Sequence, residues 1–65
     1  MKIIINSKTQ ETVSKTVAEL AKELNLPDLG VALAVNSEMI PRDKWQEKLL
    51  KENDDILIIK AASGG

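Results

Sequence analysis

Thr16-Val17-Ala18-Glu19-Leu20-Ala21-Lys22-Glu23-Leu24 carries the clearest periodic signal in this 65-residue chain. Val17, Leu20, Ala21 and Leu24 fall at i, i+3, i+4 and i+7, so they form one apolar stripe along a helix, with Lys22 and Glu23 left on the wet side. Thr16 and Glu19 have the spacing of a capping box, in which the Thr16 hydroxyl accepts from the Glu19 backbone and the Glu19 carboxylate reaches back to the helix start. Asn25 and Pro27 close the element, because proline has no N–H to donate into a continuing helix. A single amphipathic helix needs a sheet to cover its stripe, and the flanking segments supply one.

On the N-terminal side, Ile3-Ile4-Ile5 is β-branched and bounded by Asn6-Ser7, and residues 9–13 form a polar, threonine-containing run at strand spacing. Together they predict a hairpin with a buried first strand and a second strand nearer an edge. On the C-terminal side, after Pro27-Asp28-Leu29-Gly30, the apolar run Val31-Ala32-Leu33-Ala34-Val35 ends at Asn36-Ser37. Its length and flanking turn residues predict a strand, and Ile56-Leu57-Ile58-Ile59 repeats that character after Asn53-Asp54-Asp55. Residues 42–51 point two ways. Trp45, Leu49 and Leu50 sit near helical spacing among good helix formers, whereas Met39-Ile40-Pro41 has the look of a strand edge.

One helix over a small mixed sheet is the natural α+β solution for this order of elements. It leaves the second sheet face bare. Only one parity of residues 3–5, 31–35 and 56–59 can face the helix, so members of the set Ile4, Ala32, Ala34, Leu57 and Ile59 point away from it. A contiguous apolar patch on so small a domain reads as a partner surface.

Composition removes whole classes of function. At this length the chain is a single domain, residues 1–65, with no second lobe and no room for a deep cleft. It has no cysteine and no histidine, which excludes disulfides, thiolate sites and an imidazole base. Ser7, Ser14, Ser37 and Ser63 therefore have nothing to activate them as nucleophiles. Nine basic residues against ten acidic ones, with Trp45 the sole aromatic, supply neither the phosphate-neutralising patch nor the stacking rings of a nucleic-acid binder. Three isoleucines in a row are too few for a signal-peptide core or a membrane span, so a cytoplasmic protein is expected.

Bland roles fit most other polar residues. Trp45 is expected to pack with its N–H satisfied. Asp54 and Asp55, adjacent in extended structure, point to opposite faces and suit a turn better than a carboxylate pair. Arg42 and Lys44 are expected to be solvated surface charges.

The chain stops at Ala61-Ala62-Ser63-Gly64-Gly65. Without a Cβ, glycine can lie extended in a narrow slot and leaves the terminal carbonyl open to a nucleophile. Taken alone, such a terminus reads better as a frayed end, because the last residues of most domains are poorly ordered and small residues are common there.

Taken together, these segments resemble the ThiS sulfur carriers of thiamine biosynthesis, which have the ubiquitin-like β-grasp fold. The resemblance covers essentially the whole chain. It rests on Thr16-Val17-Ala18-Glu19-Leu20, on Gly30 before Ala32-Leu33-Ala34-Val35-Asn36, on Ile40-Pro41-Arg42 with Trp45 three residues on, on Asp54 before Ile56, and on the terminal Gly64-Gly65. Asn53 departs from the pattern, standing where the family usually has glycine, and asparagine tolerates the left-handed backbone that the turn requires. The resemblance also implies a short strand from Pro41 to Trp45, with only a turn of helix near Leu49-Leu50.

The implied mechanism places the reactive group at the C-terminal carboxylate of Gly65, preceded by Gly64, on a flexible tail formed by residues 61–65. An E1-like, ThiF-like adenylating enzyme spends ATP to make an acyl-adenylate, sulfur from a donor such as a cysteine desulfurase replaces AMP, and the thiocarboxylate supplies a ThiG-like thiazole synthase. The carrier itself needs no catalytic group, metal or cofactor and is not an enzyme. Fully extended, residues 61–65 reach roughly 17 Å. Two other readings share the tail: a carrier like the small subunit of molybdopterin synthase, and a ubiquitin-like modifier or plain interaction module.

Overall fold

Two hairpins and a closing strand build the sheet. A computed structural model describes residues 1–60. Strands β1 (Lys2–Ile5) and β2 (Lys8–Glu11) are joined by Asn6-Ser7, and β3 (Val31–Val35) and β4 (Glu38–Met39) by Asn36-Ser37. All four turn residues have positive φ, at 49°, 69°, 52° and 72°. Two-residue hairpin loops favour this mirror-image turn because its twist matches that of the strands, and asparagine tolerates it locally. The last strand, β5 (Asp55–Lys60), inserts between the hairpins and gives the order β2-β1-β5-β3-β4. It runs parallel to β1, with Ile4 opposite Asp55 and Ile5 opposite Ile56, and antiparallel to β3 from Val31–Lys60 to Val35–Ile56. The sheet is mixed, as the sequence predicts, and helix α1 (Val17–Glu23) packs on one face of it.

Parity sets the core. Ile3 and Ile5 from β1, Leu33 and Val35 from β3, and Ile56 and Ile58 from β5 meet Val17, Leu20 and Ala21 of α1. Leu24, the fourth residue of the stripe, is half-buried against them. Each large side chain so buried contributes roughly 1.5–3 kcal/mol relative to exposure, before chain entropy is counted.

The helix ends are closed group by group. At the start, Val17 N donates to Lys48 O (3.0 Å), Ala18 N to Trp45 O (3.0 Å) and Glu19 N to Thr16 Oγ1 (3.1 Å), so the first orphan donors all find partners. At the end, Asn25 takes φ 56° while its N–H bonds Lys22 O and that of Leu26 bonds Ala21 O, a Schellman closure with asparagine in the usual glycine position. Glu23 ties this end to the exit of β2. Its Oε1 accepts from Thr12 Oγ1 (2.6 Å) and Ser14 Oγ (2.7 Å), and both hydroxyl residues are buried. These two bonds, Thr12 first, hold the Glu23 carboxyl below its ordinary pKa of 4.5 against a small opposing effect of burial.

Several expectations are corrected. Residues 42–51 form neither an α-helix nor a strand from Pro41 to Trp45. A single 3-10 turn spans Arg42–Lys44, and Leu49 makes an isolated bridge with Thr16 in place of a helical turn. The reason lies in the bonds at the helix start: the Trp45 and Lys48 carbonyls cap α1, so they are spent on a distant partner. The capping box is half formed, since the Glu19 carboxylate overshoots Thr16 and accepts from Lys15 N at 2.7 Å. Strand β2 stops at Glu11, where Thr12 turns inward, and Val13 is left 93% exposed. Arg42 is the exposed charge that was expected, with two neighbours besides solvent. Its guanidinium lies 4.2 Å over the Trp45 ring and 3.6 Å from Asp28, bracing the loop after α1.

Trp45 packs as expected, buried, with Nε1 donating to Ile40 O at 2.9 Å. Asn53 takes φ 68°, the conformation its place before Asp54 demands.

Candidate functional site

The face of the sheet turned away from α1 is the candidate site among the described residues. Strand pairing brings its members together: Ala32 lies opposite Ile59, and Ala34 lies between Leu57 on β5 and Met39 on β4. Leu57, Ile59 and Met39 are 50%, 49% and 58% exposed, whereas Ala34, flanked by two long side chains, is nearly covered. Ile4 extends the patch onto β1, where its neighbours Thr9 and Asp55 turn the surface polar. The five residues expected from parity all belong to this face. Met39 was not foreseen; a two-residue turn after Val35 places it directly opposite Ala34, so hairpin register was the available signal.

Both ends of the first half of β5 are held by asparagine side chains. Asn36 donates to Asp54 Oδ1 (3.0 Å) and accepts from Asp55 N (2.9 Å). The second Asp54 oxygen accepts from Lys51 N (2.7 Å), so the buried carboxylate closes a turn and anchors the start of β5. It is no partner for the exposed Asp55, in keeping with the turn role expected of it. On the other edge, Asn6 holds Ile58 through both its side-chain oxygen and nitrogen.

Strand β5 is thus the central element of the sheet, the contributor of Leu57 and Ile59 to the open face, and the strand that leads in sequence to Gly64 and Gly65. The expectations for a flexible tail, and for Gly64 and Gly65 as its reactive end, fall outside the described residues. Among the described residues no cluster of His, Cys, Asp and Glu is placed to hold a metal ion. An open groove of about 400 Å³ lies on the helix side between Ala21, Lys22, Arg42 and Trp45. What the open face offers is dry area with a polar border, the makeup of a docking surface.

Comparison with known proteins agrees with this geometry. The model of the ThiS family matches residues 3–65, a span that includes both terminal glycines. A relative from Escherichia coli (strain K12), the sulfur carrier protein ThiS, is 32% identical over 66 residues, covering all of both chains. The crystal structure of the thiamine biosynthesis protein ThiS from Geobacter metallireducens superposes with a TM-score of 0.84 at 22% identity, again over the full length of both chains. A solution structure of a thiamine biosynthesis protein from the same organism gives 0.82 at 22% identity, over all of this chain and 88% of the other.

Proposed function

This chain belongs to the ThiS family, and from that premise we propose that it is the sulfur carrier of thiamine biosynthesis, loaded at the carboxylate of Gly65. The observation that carries the reading is the course of β5: its outward residues, Leu57 and Ile59, form the centre of the bare apolar face, and the chain then runs within five residues to Gly64-Gly65. Docking and delivery are built on one strand.

The chemistry follows from the poor electrophilicity of a carboxylate. A Gly65 oxygen attacks the α-phosphorus of ATP and pyrophosphate leaves, which turns that oxygen into part of a good leaving group. A persulfide sulfur carried on a partner's thiol then adds to the carbonyl and AMP departs, giving an acyl disulfide; a second thiol attacks that partner sulfur, forming a disulfide and releasing the thiocarboxylate on Gly65. Every acid, base and metal in this sequence belongs to an E1-like adenylating partner, so the chain is a carrier rather than a catalyst and needs no cofactor of its own. A cysteine desulfurase serves as the sulfur source and a thiazole synthase as the acceptor. Gly64 keeps the carbonyl approachable and the last residues narrow enough for a buried site. Threading them costs on the order of 1–2 kcal/mol per ordered residue, which burial of the Leu57–Ile59 face offsets.

Among the described residues no helix is long and apolar enough to cross a membrane, and a cytoplasmic site of action is proposed. The test is the intact mass of the chain after incubation with ATP, the adenylating enzyme and a sulfur source. The expected result is an exchange of oxygen for sulfur on the full-length chain and none on a version lacking Gly65. A Gly64→Val chain is expected to fold normally and to be adenylated poorly; normal adenylation would falsify the threading step. No mass gain, with an enzyme proven on another carrier, turns the reading towards a modifier or an inert module.

A further inference from the structure

We infer that Asn6 is a positioning residue for the loading reaction, holding the last part of β5, from which the chain leads in sequence to Gly65. The inference rests on the carrier reading above.

Strand β1 is too short to hold β5 to its end. Its last ladder pair is Ile5 with Ile56, and its last backbone bond runs from Asn6 N to Ile56 O at 2.9 Å. Beyond that point the chain turns back through Ser7 into β2, so the next β5 residue facing this edge, Ile58, meets no strand. The Asn6 side chain takes the place of one. Its Oδ1 accepts from Ile58 N at 2.8 Å, and its Nδ2 donates to Ile58 O at 3.3 Å. An acceptor and a donor on one planar amide reproduce what a further strand residue would offer, so the parallel ladder is extended by one position using a side chain.

The other edge of β5 is paired with β3 as far as Lys60. Ile58 is therefore the last β5 residue whose backbone N–H and C=O are held on the β1 edge, and it lies between Leu57 and Ile59 of the open face. Without the Asn6 amide the end of β5 hangs on β3 alone. The docked body would be unchanged, but the reacting carboxylate would start from a looser anchor. Such slack lowers the fraction of docked complexes with the terminus correctly placed, and acts after docking.

Asn36 provides an internal control, since it sits in a turn of the same sequence and conformation and clamps the opposite end of β5, at Asp54 and Asp55. Glycine is the informative replacement at both positions, because it keeps the positive φ of the turn and removes only the side chain.

The experiment compares the unaltered chain, Asn6→Gly and Asn36→Gly in ATP–pyrophosphate exchange driven by the adenylating enzyme, with amide hydrogen exchange recorded on each free chain. For Asn6→Gly the expected result is faster exchange at Ile58 and a kcat lowered about fivefold, the cost of re-ordering one backbone residue, at unchanged KM. For Asn36→Gly the expected result is lower global stability with kcat retained. Equal kcat for Asn6→Gly and the unaltered chain overturns the inference, as does an equal loss of kcat in both variants, which would reduce Asn6 to general stability. No exchange activity with the unaltered chain overturns the carrier reading and this inference together.

Discussion

The two faces of the sheet are made of the same kinds of residue and have opposite fates. Along β5, Ile56 and Ile58 are sealed beneath α1, while Leu57 and Ile59 stand about half exposed on the other side. Along β3, Leu33 and Val35 face in, and Ala32 and Ala34 face out. In an ordinary half-buried strand the outer parity is polar. Here the apolar residues of both parities suit burial, yet among the described residues α1 is the one α-helix and it covers one face. The uncovered face thus has the makeup of half a core, and on the reading proposed above a partner's apolar surface completes it over Leu57, Ile59 and Met39.

The comparison breaks most visibly in the core. Leu33→Ala is expected to cost about 2–5 kcal/mol by urea unfolding, comparable to the whole stability of a domain this small. Leu57→Ala, on the other face, should change stability by well under 1 kcal/mol; a loss as large as that of Leu33→Ala would show that the open face is structural. The next effect is on association. Leu57→Asp should leave the fold intact and weaken binding to the adenylating enzyme by about 2 kcal/mol or more, roughly thirtyfold in Kd by calorimetry. Unchanged affinity would move the docking surface elsewhere, with the helix-side groove beside Trp45 the next to be probed.

The smallest effect sharpens the comparison through pH. The folded-state pKa of Glu23 lies below the unfolded value, so its contribution to stability is full above about pH 4.5 and is lost as pH falls through the folded pKa. Glu23→Gln should therefore lower the urea midpoint slightly at neutral pH and converge with the unaltered chain in acid, with docking unaffected. The effect is modest because the carboxylate is exposed to solvent. A difference that widens in acid would reverse the assignment.

What was legible in the sequence divides along the range of the interactions. The stripe from Val17 to Leu24, strands β1, β3 and β5 and the parity of the bare face depend on periodicity and neighbouring turn residues, and they stand where they were expected. The 42–51 segment was not legible, because its conformation is set by carbonyls of Trp45 and Lys48 that cap a helix about thirty residues earlier, and no local propensity encodes that. The Asn6 clamp escaped for the same reason, linking residues 52 positions apart. Asn53 was legible because the demand on it is local, a left-handed backbone in a tight turn. For the candidate site, the bare apolar face could be read from alternation alone, whereas the chemistry proposed for Gly64 and Gly65 came from family resemblance, since glycine carries no side chain from which a reaction can be inferred.

The central place of β5 has a mechanical meaning. On the threading proposed above, a partner that draws in the C-terminus pulls along the axis of a strand bonded on both edges, and the ladder bonds between β5 and β3 lie across the direction of pull. Such a load is shared among many bonds at once and does not peel them one by one, as it would from a frayed edge strand. A chain threaded in that way keeps its shape while its end is pulled.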